Sequence, residues 1–330
     1  MARLRTVKPT MRGWTRRRSG KGFVYLDADG QRLPAEDVAR IRSLAIPPAW
    51  RNVWICPFPN GHIQAVGTDD AGRRQYLYHP VWRVKRDKQK FDRVLGAAAR
   101  LPKARKQIAA DLHARGMPLA RATAVAVRLL DLGYFRIGSD AYADANGSFG
   151  LTTLERRHLK RGRGSVTFSF VGKSGVKHSI EIDDADVIKV LDKMIARTGR
   201  SRRLLAYQDR KEWVDLDAAA VNAYLAGLLG GEMTAKDFRT WHATVIAASA
   251  LAMSQEPGDT VASRRRAVKA AVEEVAGYLG NTPTIAKGSY IDPRVLDLYE
   301  NGTVIATPRR FKDPVRQREA LERAVLDLLA

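Results

Sequence analysis

Five side chains of this 330-residue chain have the types needed to work on a phosphodiester: Arg136, Lys173, Arg239, Asn281 and Tyr290. A tyrosine oxygen can attack phosphorus and keep the bond as a phosphotyrosine. It does so only where cations neutralise the phosphate and something protonates the departing oxygen. Tyr290 lies in Leu279-Gly280-Asn281-Thr282-Pro283-Thr284-Ile285-Ala286-Lys287-Gly288-Ser289-Tyr290-Ile291-Asp292-Pro293. Arg136 follows an apolar helical stretch, in Tyr134-Phe135-Arg136-Ile137-Gly138. Arg239 lies in Lys236-Asp237-Phe238-Arg239-Thr240-Trp241-His242. There Thr234 is a candidate N-cap, with Asp237 at the capping-box position. An arginine flanked by core residues is unusual unless it faces an anion or a carboxylate. Taken one at a time, each arginine reads more readily as structural.

The elements that must hold these groups are legible as two textures. Before about residue 92 come short aromatic and β-branched runs: 23–26, 53–56, 62–67 and 75–78. They are punctuated by Asp27-Ala28-Asp29-Gly30, Pro59-Asn60-Gly61 and Asp69-Asp70-Ala71-Gly72, which predicts hairpins. One helix, about 35–44, interrupts them. Residues 1–20 read as a mobile basic arm. Beyond a charged connector at 82–90, periodicity predicts helices near 95–113, 118–132, 186–197, 216–229, 235–253, 260–279 and 314–329. A β-hairpin breaks the series, with apolar residues alternating in Val166, Phe168, Phe170 and then Val176, Ile180, Ile182. Lys173 sits at its tip. The expectation is an α+β chain: a β-rich domain over 1–92, then a mainly helical domain over 93–330 in which the hairpin carries the lysine.

Composition narrows the partner. Lys+Arg number 57 against 35 Asp+Glu, a formal net charge of +22, which favours a polyanion and most simply nucleic acid. The lone Cys56 permits no intrachain disulfide and no cysteine zinc site, and reads as core. The six histidines show no paired ligand spacing. Gly172-Lys173-Ser174 suggests a phosphate loop, but that motif needs glycine where Thr167 stands and a helix where a second strand follows. No apolar h-region marks a secretory signal, and the run Val245 to Met253 is too short to span a bilayer.

The order Arg, hairpin Lys, Arg, Asn, Tyr resembles the type IB DNA topoisomerases, in particular the small bacterial and poxvirus-like branch. The resemblance is carried by Tyr-Phe-Arg136-Ile-Gly, Phe-Val-Gly-Lys173, Lys-Asp-Phe-Arg239-Thr-Trp and Leu-Gly-Asn281 through Ser-Tyr290. Ile46-Pro47-Pro48-Ala49-Trp50, Pro59 to Ala65 and Gln75-Tyr76-Leu77-Tyr78-His79 look like the family's β domain, so the likeness covers most of the chain. It implies Tyr290 as nucleophile, Arg136 and Arg239 as clamps on the non-bridging oxygens, Lys173 as general acid and Asn281 as a hydrogen-bond donor. Asn281 departs from the poxvirus-type and recombinase relatives, which carry histidine at this position. The resemblance also implies a monomer that closes on double-stranded DNA, with no cofactor, in the cytoplasm and at the nucleoid if bacterial. Gln75, Tyr76 and Tyr78 are expected at the major groove, with the tyrosines on one strand face and Gln75 on the other. The alternative is that the tyrosines pack on Trp54 or Trp82. Lys236 is a further phosphate contact, whereas Trp241 and His242 read as packing residues. Two other functions fit less well. A tyrosine recombinase usually has histidine where Lys236 stands and a helical N-terminal domain. A non-enzymatic DNA-binding protein would form no covalent adduct.

Overall fold

The computed structural model describes residues 3–132, 135–138, 143, 147–231, 233–254, 260–307 and 309–330. They form two compact units, Met1–Lys90 and Phe91–Ala330. The predicted Gly133-Tyr134 and Ser139-Asp140 segments flanking Arg136 fall outside the described residues.

The first unit is an antiparallel sheet of β1 (Trp14–Ser19), β2 (Gly22–Leu26), β3 (Arg51–Ile55), β4 (Ile63–Thr68) and β5 (Arg74–Tyr78), in the order β2-β1-β3-β4-β5. Helix α1 (Ala35–Ser43) contributes Ile41 to a small core with Ile46, Val53, Ile55 and Ala65. Cys56 is buried with Val7, Ile63 and Val66, as expected of a core residue. The N-terminal stretch is not a mobile arm. Val7 is buried and its N–H donates to His62 Nδ1 at 3.1 Å, while residues 14–19 pair with both β2 and β3. Arginine content hid that strand. Arg16 spends its charge locally, donating to the carbonyls of Ile46, Pro47 and Trp50 at 3.2, 2.6 and 2.9 Å. Its guanidinium also lies 4.2 Å over the Phe23 ring.

Helix α2 (Pro80–Ala98) takes up the charged connector. The second unit continues with α3 (Leu101–Leu112) and α4 (Leu119–Asp131), then a three-stranded antiparallel sheet of β6 (Leu159–Arg161), β7 (Val166–Val171) and β8 (Lys177–Ile182). Next come α5 (Ala185–Ala196), the hairpin β9 (Ala206–Asp209) and β10 (Glu212–Asp215), and α6 (Ala218–Leu229). The chain ends with α7 (Ala235–Ala252), α8 (Val261–Leu279), α9 (Pro283–Ser289), α10 (Pro293–Glu300) and α11 (Pro314–Leu329). The helix expected over 95–113 is broken near Arg100. Pro102, in the first turn of α3, lacks an N–H and would clash with the preceding turn of a continuous helix. The β9–β10 hairpin escaped the sequence reading because its turn is Arg210-Lys211, both at positive φ (46° and 74°), where Asn-Gly is the usual signal.

Helix α7 is the axis of this unit. Phe238, Trp241, Ala243, Val245, Ala247 and Ala248 are all buried, so apolar residues surround it on every side. Asp237 completes the predicted capping box, accepting from the Thr234 N–H at 3.0 Å and its hydroxyl at 2.8 Å. Arg93 of α2 pairs with the same carboxylate at 3.1 Å. Arg239 is therefore carried by a capped helix packed into the core. Among the described residues no helix is long and apolar enough to cross a membrane.

Candidate active site

Four of the five predicted residues converge on the C-terminus of α8. The helix ends at Gly280, whose left-handed φ of 61° lets the Asn281 N–H fold back to the Ala276 carbonyl at 3.0 Å. That is a Schellman cap, in which glycine avoids the Cβ penalty of the left-handed conformation. It leaves other terminal carbonyls exposed to donors. Arg239 donates to the Leu279 carbonyl at 2.6 Å. Arg136 lies 3.4 and 3.5 Å from the carbonyls of Leu279 and Gly280. Both cations thus sit at the negative end of the α8 dipole, which partly offsets their burial.

Arg136 is fixed by backbone bonds around it. Its carbonyl accepts from the Leu151 N–H at 2.8 Å, and the Ile137 carbonyl from the Thr152 N–H at 2.8 Å. The two segments meet at a pair of glycines: a Cβ on Gly150 would come within 2.5 Å of Gly138 Cα. The Arg136 guanidinium donates to Asn281 Oδ1 at 2.8 Å. This bond orients the amide, so that Asn281 Nδ2 is the free donor; it is buried and has no partner among the described residues.

Tyr290 ends α9, its N–H donating to the Ala286 carbonyl at 3.0 Å. The side chain is buried, and Arg239 lies 5.4 Å from its ring centroid. Burial alone would raise the phenol's proton affinity. The positive charges of Arg239, Arg136 and Lys236 outweigh it, and the net direction is down. Arg239 responds in the opposite sense to burial: desolvation first, then repulsion by Arg136, brings its pKa down to about 10. Its Nε is buried and has no partner among the described residues. Two guanidinium groups, a hydrogen-bond donor and a phenol whose proton the cations loosen therefore lie close together. Such a set is suited to a tetrahedral anion.

Lys173 occupies a short 3-10 turn, Lys173–Gly175, between β7 and β8. Its side chain is exposed, with no hydrogen bond or ion pair among the described residues. Lys236 is exposed on the first turn of α7 and reaches Tyr290 only electrostatically. Trp241 and His242 are buried. In the first unit, Tyr76 and Tyr78 do not pack into the core. They are 39% and 40% exposed and stack on each other at 5.9 Å and 10°. Gln75 faces away from them, half-buried, and donates to Asp69 Oδ2 at 2.8 Å. Two residues at the site escaped the sequence reading. Thr244 of α7 accepts from the Asp292 N–H at 3.1 Å, and its hydroxyl lies 3.5 Å from the Tyr290 carbonyl. His178 of β8 lies beside the helix cap, close enough that a Cβ on Gly280 would be 3.5 Å from its ring. A threonine in mid-helix and a histidine on a strand carry no motif of their own.

Comparison with known proteins gives this geometry its family. The model for the eukaryotic DNA topoisomerase I catalytic core matches residues 79–301. The model for the bacterial DNA topoisomerase IB N-terminal domain matches residues 22–69. The chain is 31% identical to a DNA topoisomerase 1B of Acanthamoeba polyphaga mimivirus over 93% of its own length and 94% of that protein's. It is 22% identical to a vaccinia virus DNA topoisomerase 1B over 72% of each chain. It is also 24% identical to DNA topoisomerase 1 alpha of Arabidopsis thaliana, over 61% of its length and 21% of the plant protein. The chain belongs to the type IB DNA topoisomerase family and is an enzyme of that kind, acting on DNA.

Proposed function

We propose that this enzyme relaxes supercoiled DNA through a transient single-strand break, with Tyr290 holding the 3′ phosphate. Tyr290 Oη attacks phosphorus in line and the bond to the 5′ oxygen breaks. Lys173 supplies the proton that the 5′ oxygen takes up, and the phenolic proton leaves to solvent. Arg136, Arg239 and Asn281 Nδ2 hold the non-bridging oxygens, where charge grows in the transition state. The observation that carries the reading is the pairing of a buried, carboxylate-free Arg239 with Tyr290, whose hold on its proton the cations weaken.

One phosphodiester is exchanged for another, so neither ATP nor a metal ion is needed to drive the step. Torsion in the DNA drives rotation of the broken strand, and the 5′ hydroxyl then attacks back. The exposed Tyr76–Tyr78 pair suits contact with base edges or phosphate. With Gln75, Lys236 and the excess of positive charge, it supports a monomer that closes on the duplex. The test is relaxation of a plasmid without any special site, in EDTA and without ATP, beside Tyr290→Phe. Relaxation by the wild type alone is expected. Relaxation by Tyr290→Phe at the wild-type rate would overturn the nucleophile assignment. Recombination restricted to specific sites would favour a tyrosine recombinase.

A further inference from the structure

We propose that His178 is a positioning residue that holds the Lys173 hairpin in register with the arginine and asparagine clamp. The inference rests on the assignment of Lys173 as the acid. His178 touches the chain neighbours of two site residues and reaches that of a third through Phe170. A Cβ on Gly172, which precedes Lys173, would lie 2.7 Å from both Cδ2 and Nε2 of the imidazole. A Cβ on Gly280, which precedes Asn281, would lie 3.5 Å from Cε1. The ring stacks on Phe170 at 5.0 Å and 22°, and Phe170 stacks on Phe135, which precedes Arg136, at 6.1 Å and 13°.

Among the described residues, the bonds at the hairpin tip are those of its own turn. Gly172 donates to the Val176 carbonyl at 2.7 Å, which closes the turn on itself. Ser174 and Gly175 both take positive φ, 64° and 77°. An exposed lysine on such a turn can reach many positions, and general acid catalysis needs one of them, within hydrogen-bond reach of the leaving oxygen. The imidazole is the body against which the turn rests, and the same ring rests against the α8 cap. Burial first, then the charges of Arg136 and Arg239, disfavour protonation of His178. A neutral ring packs there without adding another cation to the clamp.

The experiment compares cleavage of ordinary duplex DNA with cleavage of a duplex carrying sulfur at the 5′ bridging position. A thiolate leaves without a proton, so the second substrate bypasses Lys173. His178→Ala and Gly172→Ala are expected to cleave ordinary DNA about tenfold more slowly, a part of what general acid catalysis is typically worth. Both should approach the wild-type rate on the sulfur substrate. His178→Ala should also add nothing to the defect of Lys173→Ala. Folded variants that are equally slow on both substrates, or that match the wild type on ordinary DNA, would overturn the inference. If His178→Ala does not fold, Gly172→Ala, which displaces the ring from the other side, carries the test. A Lys173→Ala enzyme that sulfur fails to rescue would overturn the acid assignment itself, and this inference with it.

Discussion

Two buried arginines of the second unit live in opposite surroundings. Arg105 of α3 is enclosed by carboxylates. It donates to both oxygens of Asp131 at 2.8 Å and to both of Glu322 at 2.6 and 2.8 Å. Burial alone would lower its pKa, but the two carboxylates reverse this and hold it above the ordinary value. Arg239 of α7 is similarly buried and has no ion pair among the described residues. It bonds to a helix carbonyl and to the Tyr290 phenol, its Nε has no partner among the described residues, and its pKa falls to about 10. A saturated cation binds helices together, here α3, α4 and α11. An unsaturated one keeps donor capacity that an anion from outside could take up. The difference distinguishes a structural arginine from a candidate catalytic one where burial cannot.

The comparison breaks most sharply under truncation. Arg239→Ala should slow cleavage by about 10²- to 10³-fold, the loss typical of removing one preorganised donor to a charged transition state. Its melting temperature should stay level or rise, because an uncompensated buried charge is removed. Arg105→Ala should do the reverse. It leaves Asp131 and Glu322 buried without their cation, a loss of about 3–5 kcal/mol, and cleavage per folded molecule should be unchanged. Chemical denaturation beside single-turnover cleavage checks both. Equal stability losses would remove the distinction.

Asn281→Ala comes next in size. It deletes a neutral donor to a charged group and should slow cleavage by about tenfold or somewhat more. Asn281→His should retain activity and add a pH inflection that the wild-type rate profile lacks. Absence of any new inflection would mean that residue 281 does not face the phosphate.

The smallest effect concerns the cluster around Arg105. His242 is buried beside it, and desolvation, only partly opposed by Asp131 and Glu322, lowers its pKa to about 4 from 6.5. The folded state therefore binds this proton less readily than the unfolded chain does. Its contribution to stability is complete above pH 6.5 and declines as the pH falls from 6.5 to about 4. At about 1.4 kcal/mol per pKa unit the total is about 3 kcal/mol. His242→Leu should flatten that part of the stability curve, and an unchanged slope would refute the assignment.

Sequence made some of this legible and concealed the rest for physical reasons. Alternating apolar residues revealed β7 and β8 because both strands bury one face. Strand β1 was concealed because its arginine run reads as a solvated basic arm, whereas Arg16 bonds to carbonyls of its own unit. Helices α9 and α10 are too short for periodicity to register. The grouping of Arg136, Asn281, Arg239 and Tyr290 was legible through the resemblance of their order and local sequences to the type IB topoisomerases, since each arginine alone reads as structural. The Arg105 cluster joins residues from three distant helices, and nothing local in the chain marks Glu322 as its partner. Thr244 bonds to the backbone of residues 290–292 and His178 packs against glycines, and neither arrangement leaves a mark in the sequence.

The central claim is that Tyr290 becomes joined to DNA. The direct test stops a reaction with denaturant, digests the trapped adduct with protease and maps the modified peptide by mass spectrometry. The account predicts a 3′-phosphonucleotide on Tyr290 in the peptide spanning residues 288–294, and no adduct from Tyr290→Phe. A nucleotide on any other side chain, a linkage to the 5′ end, or an adduct that survives Tyr290→Phe would contradict it.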